Sequence, residues 1–229
     1  MKQCYMRFPG GKKKAFTISY DDNITQDERL IKKMEQYHIK GTFNIIPGWF
    51  SKEDAVFPEG ETYINVTEKK AKNLYNNSLV EVANHGYDHN NAVLYKSSES
   101  FINEIEKTDL AIGKAIGIDD YCSHIFRFPN GFMSPLYKSK KKKAVSLLSK
   151  LNYAYIDWNC LNNDSIKKYS PSQLLNNLKK SCKNKNTLVI LMHDTKDVSD
   201  SSMVLKDSID YIKSQGYEFK NFYEFISKQ

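Results

Sequence analysis

No apolar run among the 229 residues approaches the roughly 18 that a membrane-spanning helix needs. The opening stretch, MKQCYMRFPGGKKKAFTISYDD, also lacks the apolar segment of a secretory signal. As written, the sequence therefore predicts a cytoplasmic chain with no membrane segment. Cysteine is scarce and dispersed. Cys4, Cys122, Cys160 and Cys182 include no C-x-x-C pair, which argues against a thiolate zinc site and a disulfide scaffold and predicts reduced thiols in packing positions. Zinc-finger spacing and the aromatic signature of RNA-binding sheets are missing too. Apart from Lys12 to Lys14 and Lys140 to Lys143, the lysines are spread over helix faces. The formal net charge of +7 thus predicts a solvated basic surface and no nucleic-acid partner.

What is present suits a compact folded domain. Hydrophobic residues make up 40% and aromatics 13%, enough for a sizeable core. Short apolar runs alternate with helical patterns, the mark of an α/β fold on a parallel sheet. Strands are predicted at Ala15 to Tyr20, Gly41 to Ile46, Leu79 to Asn84, His124 to Phe128, Tyr153 to Trp158 and Thr187 to Met192. Helices are predicted at Thr25 to Tyr37, Thr67 to Asn76, Glu99 to Ile116, Lys141 to Leu151, Ser170 to Cys182, Ser201 to Ser214 and Asn221 to Ser227. Phe101, Ile105, Leu110 and Ile112 supply the apolar positions of the third helix, and Gly117 its stop. Six or seven β/α units follow one another with no linker, repeat or low-complexity break, which makes a single barrel-like domain.

In such folds reacting groups gather at the C-terminal ends of the strands. Asp21 and Asp22 end the first strand, and His85 and His89 follow the third. Arg127 ends the fourth, Asp157 to Asp164 follow the fifth, and His193 and Asp194 follow the sixth. His85 and His89 are four apart, so one helical turn would bring both imidazoles to a common point. Neutral imidazole suits zinc and its relatives, and a carboxylate can complete a three-ligand site open to water or substrate. Asp21 and Asp22 are strand neighbours pointing to opposite sides, so one can bind metal while the other faces substrate. Arg127 could pair with a catalytic carboxylate, and His193 could protonate a leaving group. Taken singly, each has an ordinary structural explanation: a surface histidine pair, a helix cap, a salt bridge, a core histidine.

SYDD, HGYDH, RFPNG, DWNCLNND and LMHD occur in that order, and with them the chain resembles the polysaccharide deacetylase family, the NodB-homology domain of carbohydrate esterases. The resemblance runs from about Lys14 to the C-terminal helices. It implies a distorted (β/α)7-type barrel forming one catalytic domain over residues 15–229, after an extension of residues 1–14. It further implies a divalent metal, zinc foremost, on Asp22, His85 and His89, with Asp21 as catalytic base. Arg127 would orient Asp21, and His193 would be the general acid. Asp164, at the family spacing from Trp158, would support His193 ahead of Asp157. The Asn130 backbone N–H would face the oxyanion, and Trp158 and Leu191 would wall the acetyl methyl.

The activity so implied is hydrolysis of the acetamide of an N-acetylated sugar in a peptidoglycan- or chitooligosaccharide-like glycan. The same fold could instead serve a small amide, an O-acetyl ester, or glycan binding without catalysis. Asn23, Gly86 and Ser165 depart from the family pattern, and Ser165 changes the substrate wall.

Overall fold

The computed structural model of the chain describes residues 14–21, 27–50, 54–56, 62–64, 68–193 and 201–222, with the backbone course alone for 54–56, 62–64, 68 and 69. The first strand, β1 (Lys14–Asp21), is rich in β-branched and aromatic residues and buried throughout except at Lys14. It lies at the centre of a curled parallel sheet, between β2 (Gly41–Ile45) and β9 (Thr187–His193). Outward from β2 come β5 (Val80–Asn84), β6 (Ile125–Phe126) and β7 (Ala154–Tyr155). Outward from β9 comes β8 (Cys160–Leu161), while β10 (Tyr217–Phe219) pairs with the start of β1. The strand path ends at β7 and β8, so residues 156–159 carry the chain across the open seam of a distorted barrel. A small antiparallel hairpin, β3 (Asp54–Val56) with β4 (Thr62–Ile64), stands apart from it.

Helices α1 (Asp27–Tyr37), α2 (Glu68–Tyr75), α4 (Ser98–Ile116), α5 (Lys138–Lys150), α6 (Pro171–Cys182) and α7 (Leu205–Ser214) cover the sheet, with a single turn, α3 (Asn91–Leu94), before α4. Their ends follow local chemistry. The Ser97 hydroxyl accepts from Ser100 N at the start of α4, and Gly117, at φ 72°, closes it in the left-handed region. Ser170 and Gln173 form a reciprocal capping box at α6, with a first-turn proline. Leu110, expected on the buried face of α4, is 76% exposed; Thr108 and Asp109 occupy that face instead, one turn on from Ile105. Helix α5 begins three residues before Lys141, without a side-chain cap, because Lys141 itself is buried and anchors the first turn. The lysine run is therefore not wholly a solvated face.

One core layer lies between the outer face of the sheet and the helices, with Phe16, Ile18, Phe43, Ile190 and Met192 among its members. A second, aromatic layer packs Phe101, Phe126, Phe128 and Tyr155 beneath α4 and α5. Each such ring contributes roughly 1.5–3 kcal/mol by leaving water. Inside the barrel, Ala83, Ile125, Ile156, Val189 and Phe222 form a small apolar plug, with Trp158 against it. Apolar filling below and polar residues above leave the C-terminal rim as the chemical end. Of the predicted elements, the Asn221 to Ser227 helix after Phe222, the Thr25 start of the first helix and the extension up to Lys13 lie outside the described residues.

Candidate active site

Strand register gathers the polar rim. Asp21 is the Cα partner of His193 on one side and of Asn44 on the other. His85 N continues the ladder to Ile45 O at 3.2 Å, and Arg127 N to Asn84 O at 2.9 Å. The ends of β1, β2, β5, β6 and β9 thus bring Asp21, Asn44, His85, Arg127 and His193 to one level. Side chains alternate along a strand, so Val189, Leu191 and His193 share the inner face of β9, where Leu191 is buried.

Arg127 is fully buried and crosses the barrel interior to Asp21, its Nη1 lying 3.3 and 3.4 Å from the two carboxylate oxygens. Its Nη2 donates to the Ser19 hydroxyl at 3.1 Å. Asn44 donates to Asp21 Oδ1 at 2.6 Å. Asp21 is 3% exposed, and its charge is met by one cation and one amide. Trp158 covers the guanidinium from the seam side, with Arg127 Cζ 5.3 Å from its ring centre.

His85 is held by the same arginine. Its Nδ1 lies 2.8 Å from the Arg127 carbonyl oxygen, which can only accept, so Nδ1 carries the proton and Nε2 the lone pair. That Nε2 sits 3.7 Å from Asp21 Oδ2. A backbone carbonyl fixing one imidazole nitrogen while the other is presented to the site is the arrangement of a metal-binding histidine. His89 reaches the same place by a route the spacing did not predict. Residues 85–90 form a bent loop rather than a helical turn, because Gly86 (φ 85°) and His89 (φ 59°) are in the left-handed region. Asn84 Oδ1 accepts Gly86 N at 3.0 Å and shapes that loop. The two imidazole centres are 5.2 Å apart. Asp22, the third ligand the family pattern implies, lies outside the described residues, as do Asn23 and Asp194. Among the described residues, no group of three His, Cys, Asp or Glu side chains closes on a common point. The two described donors fit a first-row divalent ion in kind.

On the other wall, His193 Nδ1 lies 2.8 Å from Asp164 Oδ1, and His193 N donates to Asp164 Oδ2 at 2.8 Å. Asp164 is buried and also accepts the Ser201 hydroxyl. Asn162 presents it, taking Asp164 N on Oδ1 at 3.1 Å and donating to Ser201 Oγ at 2.8 Å. Asp157 does something else. Its two oxygens accept Phe132 N and Met133 N at 2.9 and 3.0 Å. The Lys141 ammonium donates to the Gly131 and Ser134 carbonyls, and burial lowers its pKa against the attraction of Asp157. Together they clamp the turn after Pro129.

Within that turn Gly131 has φ 77° and packs on Trp158, whose ring a Cβ would meet at 2.6 Å, so no larger residue fits there. Asn130 is exposed and its Oδ1 accepts from Asn91, while its backbone N–H has no partner among the described residues. Asn44, Ser19, Asn162, Ser201 and Trp49 were not singled out from sequence. Trp49, with its ring centre 5.9 Å from that of His89, follows a strand end and could have been found by that rule.

The model of the polysaccharide deacetylase family matches residues 9–156 of this chain. A search of curated proteins gives no significant match. The fold is similar to that of the catalytic domain of a peptidoglycan N-acetylglucosamine deacetylase from Eubacterium rectale, with TM-score 0.73 and 21% identity over 92% of this chain and 89% of that one. It is similar to a polysaccharide deacetylase from Bacillus cereus, at TM-score 0.69 and 22% identity over 93% of each chain. A CE4 family pseudoenzyme from Bacillus anthracis is also similar, at TM-score 0.70 and 21% identity over 94% of this chain and 66% of that one.

Proposed function

The chain belongs to the polysaccharide deacetylase family, and from that premise we propose that it is a metal-dependent hydrolase of the acetamide of an N-acetylated amino sugar within a glycan. The observation that carries this reading is the pairing of Asp21, braced by Arg127, with His193, braced by Asp164, on adjacent strands in register. Binding alone has no use for two oppositely equipped proton-handling groups at one strand end.

His85 and His89, with Asp22, would hold the metal; two imidazoles and a carboxylate suit zinc. When bound there, a divalent ion supplies Lewis acidity toward the acetyl carbonyl and makes water a stronger acid. Asp21, fixed by Arg127 and Asn44, takes the proton of the attacking water. The oxyanion developing on the acetyl carbonyl oxygen meets the Asn130 backbone N–H. His193, with Nδ1 committed to Asp164, delivers a proton from Nε2 to the departing nitrogen, and acetate leaves. Trp158 and Leu191 flank the acetyl methyl. A positioned base or acid of this kind is worth about 10²–10⁴ in rate.

The test is acetate release from N-acetylglucosamine oligomers, peptidoglycan and acetylated xylan, before and after chelation and zinc readdition. Release from the first two, abolished by chelator and restored by zinc, is the expected result. Release from acetylated xylan alone makes the enzyme an O-acetyl esterase, and release from none removes the catalytic reading.

A further inference from the structure

Away from the rim, two thiols meet in a way that hydrolysis does not use. Cys160 opens β8 and Cys182 closes α6; the two pack in one core cluster, and neither is in a disulfide. Cys160 is fully buried, its Sγ also 3.6 Å from the Ser181 carbonyl. Cys182 is 5% exposed and forms part of the wall of a surface cavity of about 540 Å³. Lys14, Lys183 and Lys185 line the same cavity, and no acidic residue among the described residues does. Lys185 is fixed there, its ammonium donating to the Asn159 carbonyl at 2.6 Å and to that of Ser181.

The two sulfurs are therefore unequal. The contact with Cys160, followed by the charge of Lys185, lowers the Cys182 thiol from its ordinary value against the effect of burial. The contact with Cys182 and burial together raise Cys160. A sulfur at the cavity wall, backed by a fully buried one behind it, is the asymmetry of an attacking and a resolving cysteine, and the two pKa directions agree with it.

We propose that Cys182 and Cys160 form a thiol–disulfide exchange site, which takes a small carboxylate-bearing disulfide of the glutathione type into the lysine-lined cavity and closes to an intramolecular disulfide. The Cys182 thiolate attacks one sulfur of the small disulfide, whose other half leaves as a thiolate and is protonated. Cys160 then gives up its proton and attacks Cys182 Sγ, expelling the second small thiol. One disulfide is reduced to two thiols, and two protein thiols are oxidised to one disulfide. The bond would join β8 to α6 where Leu161 N already donates to Ser181 Oγ at 3.1 Å. This lies just before Asn162 and Asp164, so the wall that holds His193 is the part it would brace.

The experiment uses the full reduced chain with excess glutathione disulfide at low salt, followed by acid quench, alkylation and peptide mass spectrometry. The expected product is a Cys160–Cys182 link two hydrogens lighter than the reduced pair. It should form several-fold faster than with the cationic disulfide cystamine, and it should raise the Tm by about 5–10 °C, reversibly with dithiothreitol. In Cys160→Ala, Cys182 should instead hold one glutathione. Two results would overturn the proposal. One is a folded protein whose Cys160 and Cys182 stay alkylatable under conditions that fully modify the unfolded chain. The other is a wild-type protein that retains glutathione on Cys182 without closing the link. Equal rates with cystamine would remove the role given to the lysines.

Discussion

Asp21 and Asp164 are both buried carboxylates at the C-terminal rim, yet their partners differ in kind. Asp21 faces a guanidinium that is always charged, an amide and the edge of His85. Asp164 faces a hydroxyl, a backbone N–H and an imidazole whose charge can change. The first environment fixes one carboxylate in one orientation, which suits the base role proposed for Asp21. The second tolerates a neighbour that gains and loses a proton, which suits the acid role proposed for His193. A third buried carboxylate, Asp109, meets the uncharged groups Tyr153, Asn84, Cys122 and Ser123 N, and burial raises its pKa. The three sites thus differ in whether the partner's charge is permanent, switchable or absent.

Removing the permanent charge should have the largest effect. Arg127→Met leaves Asp21 buried without a counter-ion and should cost about 3–5 kcal/mol, read from urea unfolding, while abolishing acetate release. Asp21→Asn should leave the fold intact but lower kcat by about 10³, whereas Asp164→Asn should lower it by about 10², with KM little changed in both. Equal losses would erase the distinction between fixed and switchable partners. Asn44→Leu, close in shape but without the donor, should lower kcat by about tenfold at nearly unchanged Tm; an unchanged kcat would leave Arg127 as the sole brace of Asp21.

The smallest effect concerns Asp109. Because its folded pKa is raised, its contribution to stability is full below the ordinary aspartate value of about 3.9 and is lost as pH rises through the folded value. Urea midpoints measured upward from pH 4 should show that loss in the wild type, and Asp109→Asn should remove it.

Much of this site could be read along the chain because its residues end strands, and strand ends are local features. Asp21, Arg127 and His193 follow that rule, and Asp164 was preferred to Asp157 by the family spacing from Trp158 and by the place of Asp157 within the predicted strand. Asn44 escaped because it reads as an interior residue of GTFNII; only its register with Asp21 makes it part of the site. Lys141 escaped because a lysine run reads as solvated, and nothing local marks the one side chain that turns under the loop. His85 and His89 do come together, with ring centres 5.2 Å apart, but through two left-handed residues rather than the helical turn that their spacing suggested. Strands β8 and β10 have two and three residues, too few for any periodicity. The predicted strand from His124 to Phe128 pairs as β6 only over Ile125–Phe126, because the Arg127 carbonyl is given to His85.

The pairing of β1 with β9 in register has a consequence for how this chemistry survives sequence change. Neighbouring strands lie about 4.8 Å apart wherever backbone amides and carbonyls pair. The spacing between Asp21 and His193, the proposed proton acceptor and donor, is therefore a gauge cut into the main chain. Side chains that touch only one of the two can drift without resetting that gauge, whereas a one-residue slip of β9 would turn His193 to the opposite face at once.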